Sequence, residues 1–191
     1  MAAVAARQAA DDAAPDDALR ISAVLVVLAD GPDGAEVLLT RRSETLTSHR
    51  GEISFPGGRV DAGETYEAAA LREAHEEVAL DPAVVRLGGR LDPISTMASR
   101  SFIVPVVGSV GSLPDLTPAE DEVDRIMWVP LAELTRVDTF REEIWPVFER
   151  GHRPMFFFEL DDETIWGATA RMLHQLLRVA LGIEGPEPPA L

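Results

Sequence analysis

The sequence predicts an α/β domain in which helices pack on a mixed β-sheet, and three observations carry that reading. Residues 21–29 and 35–40 are β-branched, Leu-rich runs on either side of Asp30-Gly31-Pro32-Asp33-Gly34, a turn-rich connector, so they read as a β-hairpin. Residues 65–79 are rich in Ala and Glu, with Leu71, Ala74 and Val78 on one stripe and Thr65 as N-cap, which predicts an amphipathic helix. Residues 168–181 carry Met172, Leu173, Leu176, Leu177 and Ala180 at helical spacing, with Gly182 as the stop. Between the two helices lie strand-like segments at 84–91, 101–107, 125–129 and 155–160, a short helix at 131–134 and a further helix at 140–149. Strands interleaved with helices in this order suit one mixed sheet.

A chain of 191 residues, 46% hydrophobic and 26% charged, is long enough for one domain with a sizeable core and too short for two full ones. Residues 1–18 alternate Ala with Asp around Pro15 and predict a disordered acidic arm. Residues 19–184 form the domain, and the proline-broken residues 185–191 form a flexible tail. The arm has neither the apolar core of a signal peptide nor the acid-poor, Arg-rich make-up of a transit peptide. The longest apolar run, residues 21–29, falls short of the roughly 20 residues that span a bilayer, so the expectation is a cytoplasmic protein without a membrane partner. Cysteine is absent, which excludes disulfides, a thiol nucleophile and Cys-based metal sites. Lysine is absent too: all 17 basic residues are Arg, which excludes a Schiff-base lysine and a P-loop lysine. With 33 acids the net charge is -16, which argues against a nucleic-acid partner held by phosphate contacts. Small phosphate ligands remain open, provided divalent cations sit between the carboxylates and the phosphate oxygens.

The acids that matter are clustered. Glu73, Glu76 and Glu77 stand at i, i+3 and i+4, so their carboxylates project from one helix face. Like charges so spaced cost roughly 0.2–0.5 kcal/mol per pair unless a cation neutralises them, and hard oxygen ligands suit Mg²⁺ or Mn²⁺. A solvated acidic face balanced by Arg72 is the plainer reading of such a pair. Phe55-Pro56-Gly57-Gly58 precedes the helix, where Gly allows close backbone approach to a metal or ligand. The whole spaced string is Gly58, five residues, Glu64, seven residues, then Arg72-Glu73-Ala74-His75-Glu76-Glu77-Val78-Ala79-Leu80.

That string resembles the Nudix box, Gly-x5-Glu-x7-Arg-Glu-U-x-Glu-Glu-x-Gly-U with U apolar, and a match of this length is specific. Its one departure is Ala79, where the box has Gly; Gly there permits a helix-ending backbone, so Ala79 is expected to lengthen or stiffen the exit. The resemblance implies a Nudix-type α/β/α sandwich with a mixed β-sheet, and hydrolysis of a nucleoside diphosphate linked to another group. It implies Glu73, Glu76 and Glu77 as ligands of Mg²⁺ or Mn²⁺, Glu64 as support for that metal site, and Gly58 as a carbonyl donor to it. Arg72 would orient the glutamates by charge-assisted hydrogen bonds. Glu73 is the box's candidate base, and Glu122, in the acidic stretch Glu120-Asp121-Glu122-Val123, is the second candidate as base or extra ligand; an exposed acidic loop is the competing reading of that stretch.

Upstream run Leu38-Leu39-Thr40-Arg41-Arg42-Ser43, Leu46, His49, Gly51 and Ile53-Ser54-Phe55-Pro56-Gly57-Gly58. This string is similar to the coenzyme A pyrophosphatase branch of the Nudix hydrolases. The likeness continues through Leu91-Asp92-Pro93, residues 101–108, Trp128-Val129-Pro130-Leu131 and Ile165-Trp166-Gly167-Ala168-Thr169-Ala170, with Glu52 as a variation where many relatives have Gln. It implies a CoA-like nucleotide substrate, with Gly57 and Gly58 close to it, and a possible homodimer, since relatives often dimerise. Arg41, Arg42, His49 and Arg50 form a basic island able to meet the phosphates of CoA, although Arg41 and Arg42 point to opposite faces of a strand and at most one of them reaches the ligand. The alternatives are another diphosphate, such as ADP-ribose, a dinucleotide or an oxidised nucleotide, and a non-catalytic Nudix module that senses a nucleotide.

Overall fold

The computed structural model describes residues 20–96, 100–147 and 151–183; the expected arm and tail lie outside the described residues. The apolar run that opens the domain becomes β1 (Arg20–Gly31), which turns through Gly31 and Gly34 into β2 (Gly34–Arg42). Along its other edge β1 pairs in parallel with β7 (Ser101–Val110), from Arg20↔Ser101 to Ala29↔Val110. Every other ladder among the described residues is antiparallel. β8 (Val123–Pro130) and the short β3 (Ile53–Ser54) pair with β2, and β4 (Gly57–Arg59) pairs with the first half of β1. β5 (Arg86–Arg90) and β6 (Ile94–Thr96) pair with β7, completing one mixed eight-stranded sheet.

Alternation along β1 divides the core in two, because successive side chains leave a strand on opposite faces. Ala23, Leu25 and Val27, with Leu38 of β2, pack beneath α1 (Tyr66–Val78) through its fully buried Ala69, Ala70, Ala74 and Val78. Val26, Val37 and Leu39 face the other way, toward a second layer. That layer holds α3 (Gly167–Ala180) and a three-stranded antiparallel sheet of β9 (Phe140–Val147), β10 (Gly151–Glu159) and β11 (Thr164–Trp166). Burial on both faces explains why residues 21–29 read as an almost unbroken apolar run. The architecture is the expected α/β/α sandwich with a mixed sheet, and its second outer layer contains strands as well as a helix. Among the described residues no helix is long and apolar enough to cross a membrane.

Local expectations hold for α1, whose N-cap Thr65 accepts from the Ala68 amide at 3.2 Å, for the short α2 (Leu131–Leu134), and for α3, which ends before Gly182 at φ 65°. Two fail. The helix expected at 140–149 is instead β9 over 140–147, with 148–149 outside the described residues, because Phe140 packs its ring against Phe156 and Phe158, 5.8 and 5.3 Å between centroids, in a ladder running from Phe140↔Phe158 to Val147↔Gly151. Cross-strand aromatic packing overrides local helical periodicity here. Ala79 does not lengthen α1 either: it adopts the left-handed conformation (φ 56°, ψ 28°) that Gly would supply, and its amide bonds back to His75 at 2.9 Å. Burial of the next side chain, Leu80, holds the chain in that turn.

Candidate active site

Helix α1 carries the box acids, but they do not share one solvated face. Glu76 is half-exposed at 55%, whereas Glu77 is buried at 3%. Three contacts seat Glu77. The Gly57 amide donates to its Oε2 at 3.3 Å, Arg42 Nη1 lies 3.8 Å from its Oε1, and the loop after β7 bonds to the helix end, Ala119 N–H to the Glu77 carbonyl at 2.9 Å. The same loop brings Glu122 close enough to act electrostatically on both Glu73 and Glu77. Burial pushes the Glu77 carboxyl up to about 8, Arg42 and the Gly57 amide oppose the rise, and Glu122 and Glu73 add to it. Glu73 is likewise raised, chiefly by burial.

Arg72 organises the rest. Its Nε and Nη2 donate to the two Glu64 oxygens at 3.0 Å each, its Nη1 donates to Glu73 Oε1 at 2.8 Å and Glu76 Oε2 at 3.1 Å, and Nη2 also donates to the Arg59 carbonyl at 3.0 Å. The paired carboxylates keep the guanidinium charged, and the Arg72 hydrogen bonds hold Glu64 below the ordinary carboxylate range. Both Glu64 oxygens are thereby occupied, which makes it the anchor of Arg72. One oxygen each of Glu73 and Glu76 stays clear of that guanidinium.

Glycine is required at Gly57 on β4. A Cβ at Gly57 would stand 2.4 Å from the Ala23 carbonyl and 2.5 Å from Val24 Cα, and one at Gly58 would stand 2.5 Å from the Glu73 carboxyl carbon. At Gly57 backbone therefore meets backbone at a distance that no side chain fits, and at Gly58 a Cβ would push the Glu73 carboxylate aside. The donor set of Glu73, Glu76 and Glu77 is wholly hard oxygen, crowded and short of positive charge, with a buried carboxyl that gives up its proton only near pH 8. A divalent cation of the Mg²⁺ or Mn²⁺ class fits it. Among the described residues no three such groups are already gathered into a cage, consistent with Arg72 holding Glu73 and Glu76.

On the other face of β4 opens a cavity of about 840 Å³. Gly57, Gly58, Arg42, His49 and Glu52 line its glutamate end; Val24, Phe55, Ile103 and Met155 line its depth; Trp166 to Thr169, at the start of α3, form the far wall. Of the basic island, Arg42 and His49 face this cavity and Arg41 and Arg50 do not. Arg41 pairs with Glu44 at 3.2 Å and Glu163 at 3.4 Å, Arg50 Nε bonds to the Leu46 carbonyl, and His49 pairs with Glu52 at 2.9 Å while holding a left-handed backbone at φ 56°. Glu163 also meets Arg125 at 3.6 Å, so it clamps the β10–β11 turn between two arginines that face each other on β2 and β8. Sequence reading missed Arg20, Ser22 and Arg59, which also line the cavity. No spacing rule reaches them, because β1, β4 and β7 meet only through the fold.

Residues 19–151 match the family model of the NUDIX domain. A Nudix hydrolase NudL of Cronobacter sakazakii is 37% identical over 161 residues, covering 82% of this chain and 81% of the relative. Nudix hydrolase 3 of Caenorhabditis elegans is 34% identical over 178 residues, covering 84% and 73%. Among solved structures, the Nudix hydrolase RenU of M. smegmatis aligns over 88% of this chain and 89% of its own at a TM-score of 0.61 and 19% identity, a likeness of fold. The box on α1, the glycine strand beneath it and these matches agree: the chain belongs to the Nudix hydrolases and is a diphosphatase of that family.

Proposed function

We propose that this enzyme hydrolyses the diphosphate bond of coenzyme A or its derivatives with Mg²⁺ or Mn²⁺, yielding 3′,5′-ADP and 4′-phosphopantetheine or its acyl form. One observation carries the substrate. Two stretches of the CoA-branch string far apart in sequence, residues 49–58 and 165–170, both contribute walls to one cavity, and that cavity ends on the glycines that touch Glu73 and Glu77. Its volume suits a nucleotide-sized ligand, and its apolar depth with a polar mouth suits a pantetheine arm joined to phosphates.

Nudix hydrolases generally work with a divalent cation, and in this chain Glu73, Glu76 and Glu77 would hold it, with the Gly58 carbonyl adjoining. When bound, the cation would supply neutralisation of the diphosphate oxygens and polarisation of the attacked phosphorus. Arg42, between Glu77 and the cavity, orients the diphosphate by donating to its oxygens. Arg72 fixes Glu73 by one oxygen, and the proton of the attacking water passes either to the other Glu73 oxygen or to Glu122, which the loop before β8 brings beside Glu73 and Glu77. The water oxygen bonds to one phosphorus, the bridging P–O bond breaks, and the second phosphate leaves with its oxygen.

A panel of CoA, acetyl-CoA, ADP-ribose, a dinucleotide and an oxidised nucleotide, with either metal and products identified by mass, tests this reading. Release of 3′,5′-ADP from CoA faster than cleavage of the others is the expected result. Preference for another diphosphate overturns the substrate and leaves the diphosphatase, whereas nucleotide binding without any cleavage points to a sensor.

A further inference from the structure

The cavity carries cations that the diphosphate chemistry does not use. Arg20 and Arg59 line it, both are exposed, and neither side chain has an ion-pair partner among the described residues of a chain with net charge -16. They stand on one face. Ser22 is directly opposite Arg59 in the β1–β4 ladder, and Arg20 lies two residues before Ser22, so all three point away from α1. Ala23 and Gly58, the next rung, point the other way, toward Glu73. Elsewhere Arg41, Arg72, Arg90, Arg125, Arg136 and Arg141 are taken up by carboxylates. Two guanidinium groups that line one cavity without an ion pair among the described residues, in so acidic a protein, are a recognition feature for an anion.

We infer that Arg20 and Arg59 form a second anion site, distinct from the diphosphate position at Arg42 and the α1 glutamates, that binds a phosphate monoester carried by the substrate. The Arg20 rung lies three residues along β1 from Gly58↔Ala23, about 10 Å at strand rise. Arginine side chains reach back over part of that span, which suits an anion one sugar ring away from the diphosphate. The inference rests on the CoA reading, since among the proposed substrates CoA pairs a diphosphate with a 3′-phosphate on the same ribose. It moves recognition of that phosphate from the sequence island of Arg41 and Arg50 to residues that only the fold assembles.

Steady-state kinetics of CoA and dephospho-CoA on the full chain test it in Arg20→Gln, Arg59→Gln and the double variant, with Arg86→Gln as a surface control. Each single substitution should raise KM for CoA about tenfold, the loss of one charge-assisted hydrogen bond. KM for dephospho-CoA, kcat on both substrates and the control should stay within about twofold, the scatter of a surface change. Equal losses on both substrates, or no loss on either, overturn the site. Calorimetry with adenosine 3′,5′-bisphosphate and with AMP separates this outcome from failure of the CoA reading. If CoA is not cleaved yet the bisphosphate binds more tightly than AMP and loses that advantage in the double variant, the anion site stands and the substrate falls; if the two bind alike in the wild type, the anion site falls.

Discussion

The two faces of β4 are built on opposite electrostatic plans. On the α1 face, Glu64, Glu73, Glu76 and Glu77 crowd around one guanidinium, and Arg42 reaches in from the edge. On the cavity face, Arg20 and Arg59 stand without acidic partners among the described residues, over an apolar floor. Only Gly57, Gly58 and Arg59 separate the two. In the proposed reading, reaction and recognition are divided across one short strand, with carboxylates where a cation is wanted and arginines where an anion is wanted. Gly57 is needed because β4 meets the β1 backbone there, and a Cβ at Gly58 would displace the Glu73 carboxylate.

Four experiments break or sharpen that division. The largest effect concerns Glu77 in metal-free protein. Its folded carboxyl is raised to about 8, so the stability it contributes is complete below the unfolded value near 4.3 and is lost as pH rises through 8. Chemical denaturation in a chelator should therefore show stability falling by about 3 kcal/mol between pH 5 and 8 in wild type, with most of that slope gone in Glu77→Gln; an unchanged slope contradicts a carboxyl buried without adequate charge. Next, Gly57→Ala drives a methyl into the β1 backbone and should cost about 3 kcal/mol, measurable by thermal unfolding. Smaller is the split between neighbours on β2. Arg42→Ala should lower kcat/KM about thirtyfold, a loss of about 2 kcal/mol for a charged hydrogen bond. Arg41→Ala should leave kcat/KM nearly unchanged and lower stability by about 1 kcal/mol, non-additively with Glu163→Ala. A kinetic defect in Arg41→Ala that Glu163→Ala lacks would return Arg41 to the substrate. Smallest, Ala79→Gly should stabilise by about 1 kcal/mol, since Gly takes the left-handed conformation without a Cβ penalty.

What was legible in the sequence was whatever depends on near neighbours. Helix α1 with its Thr65 cap, the spacing of Glu73, Glu76 and Glu77, and the hairpin of β1 and β2 are local, and they appear where periodicity and turn chemistry put them. The unequal exposure of those glutamates was not legible, because β4 and the loop before β8 bury Glu77, and neither adjoins it in sequence. Arg41 and Arg42 look alike as neighbours, yet one faces a buried glutamate and the other a distant turn at Glu163. Residues 140–147 carry a helix-compatible pattern that the rings of Phe156 and Phe158 overrule.

The most direct test of the division between faces is turnover by Glu77→Gln on the wild type's preferred diphosphate at saturating Mg²⁺, with KM measured alongside. If chemistry resides on the α1 face, kcat falls by about a thousandfold or more while KM, set across β4 by the arginine cavity, stays within a few-fold. Wild-type kcat in that variant, or a loss expressed only in KM, would contradict the account.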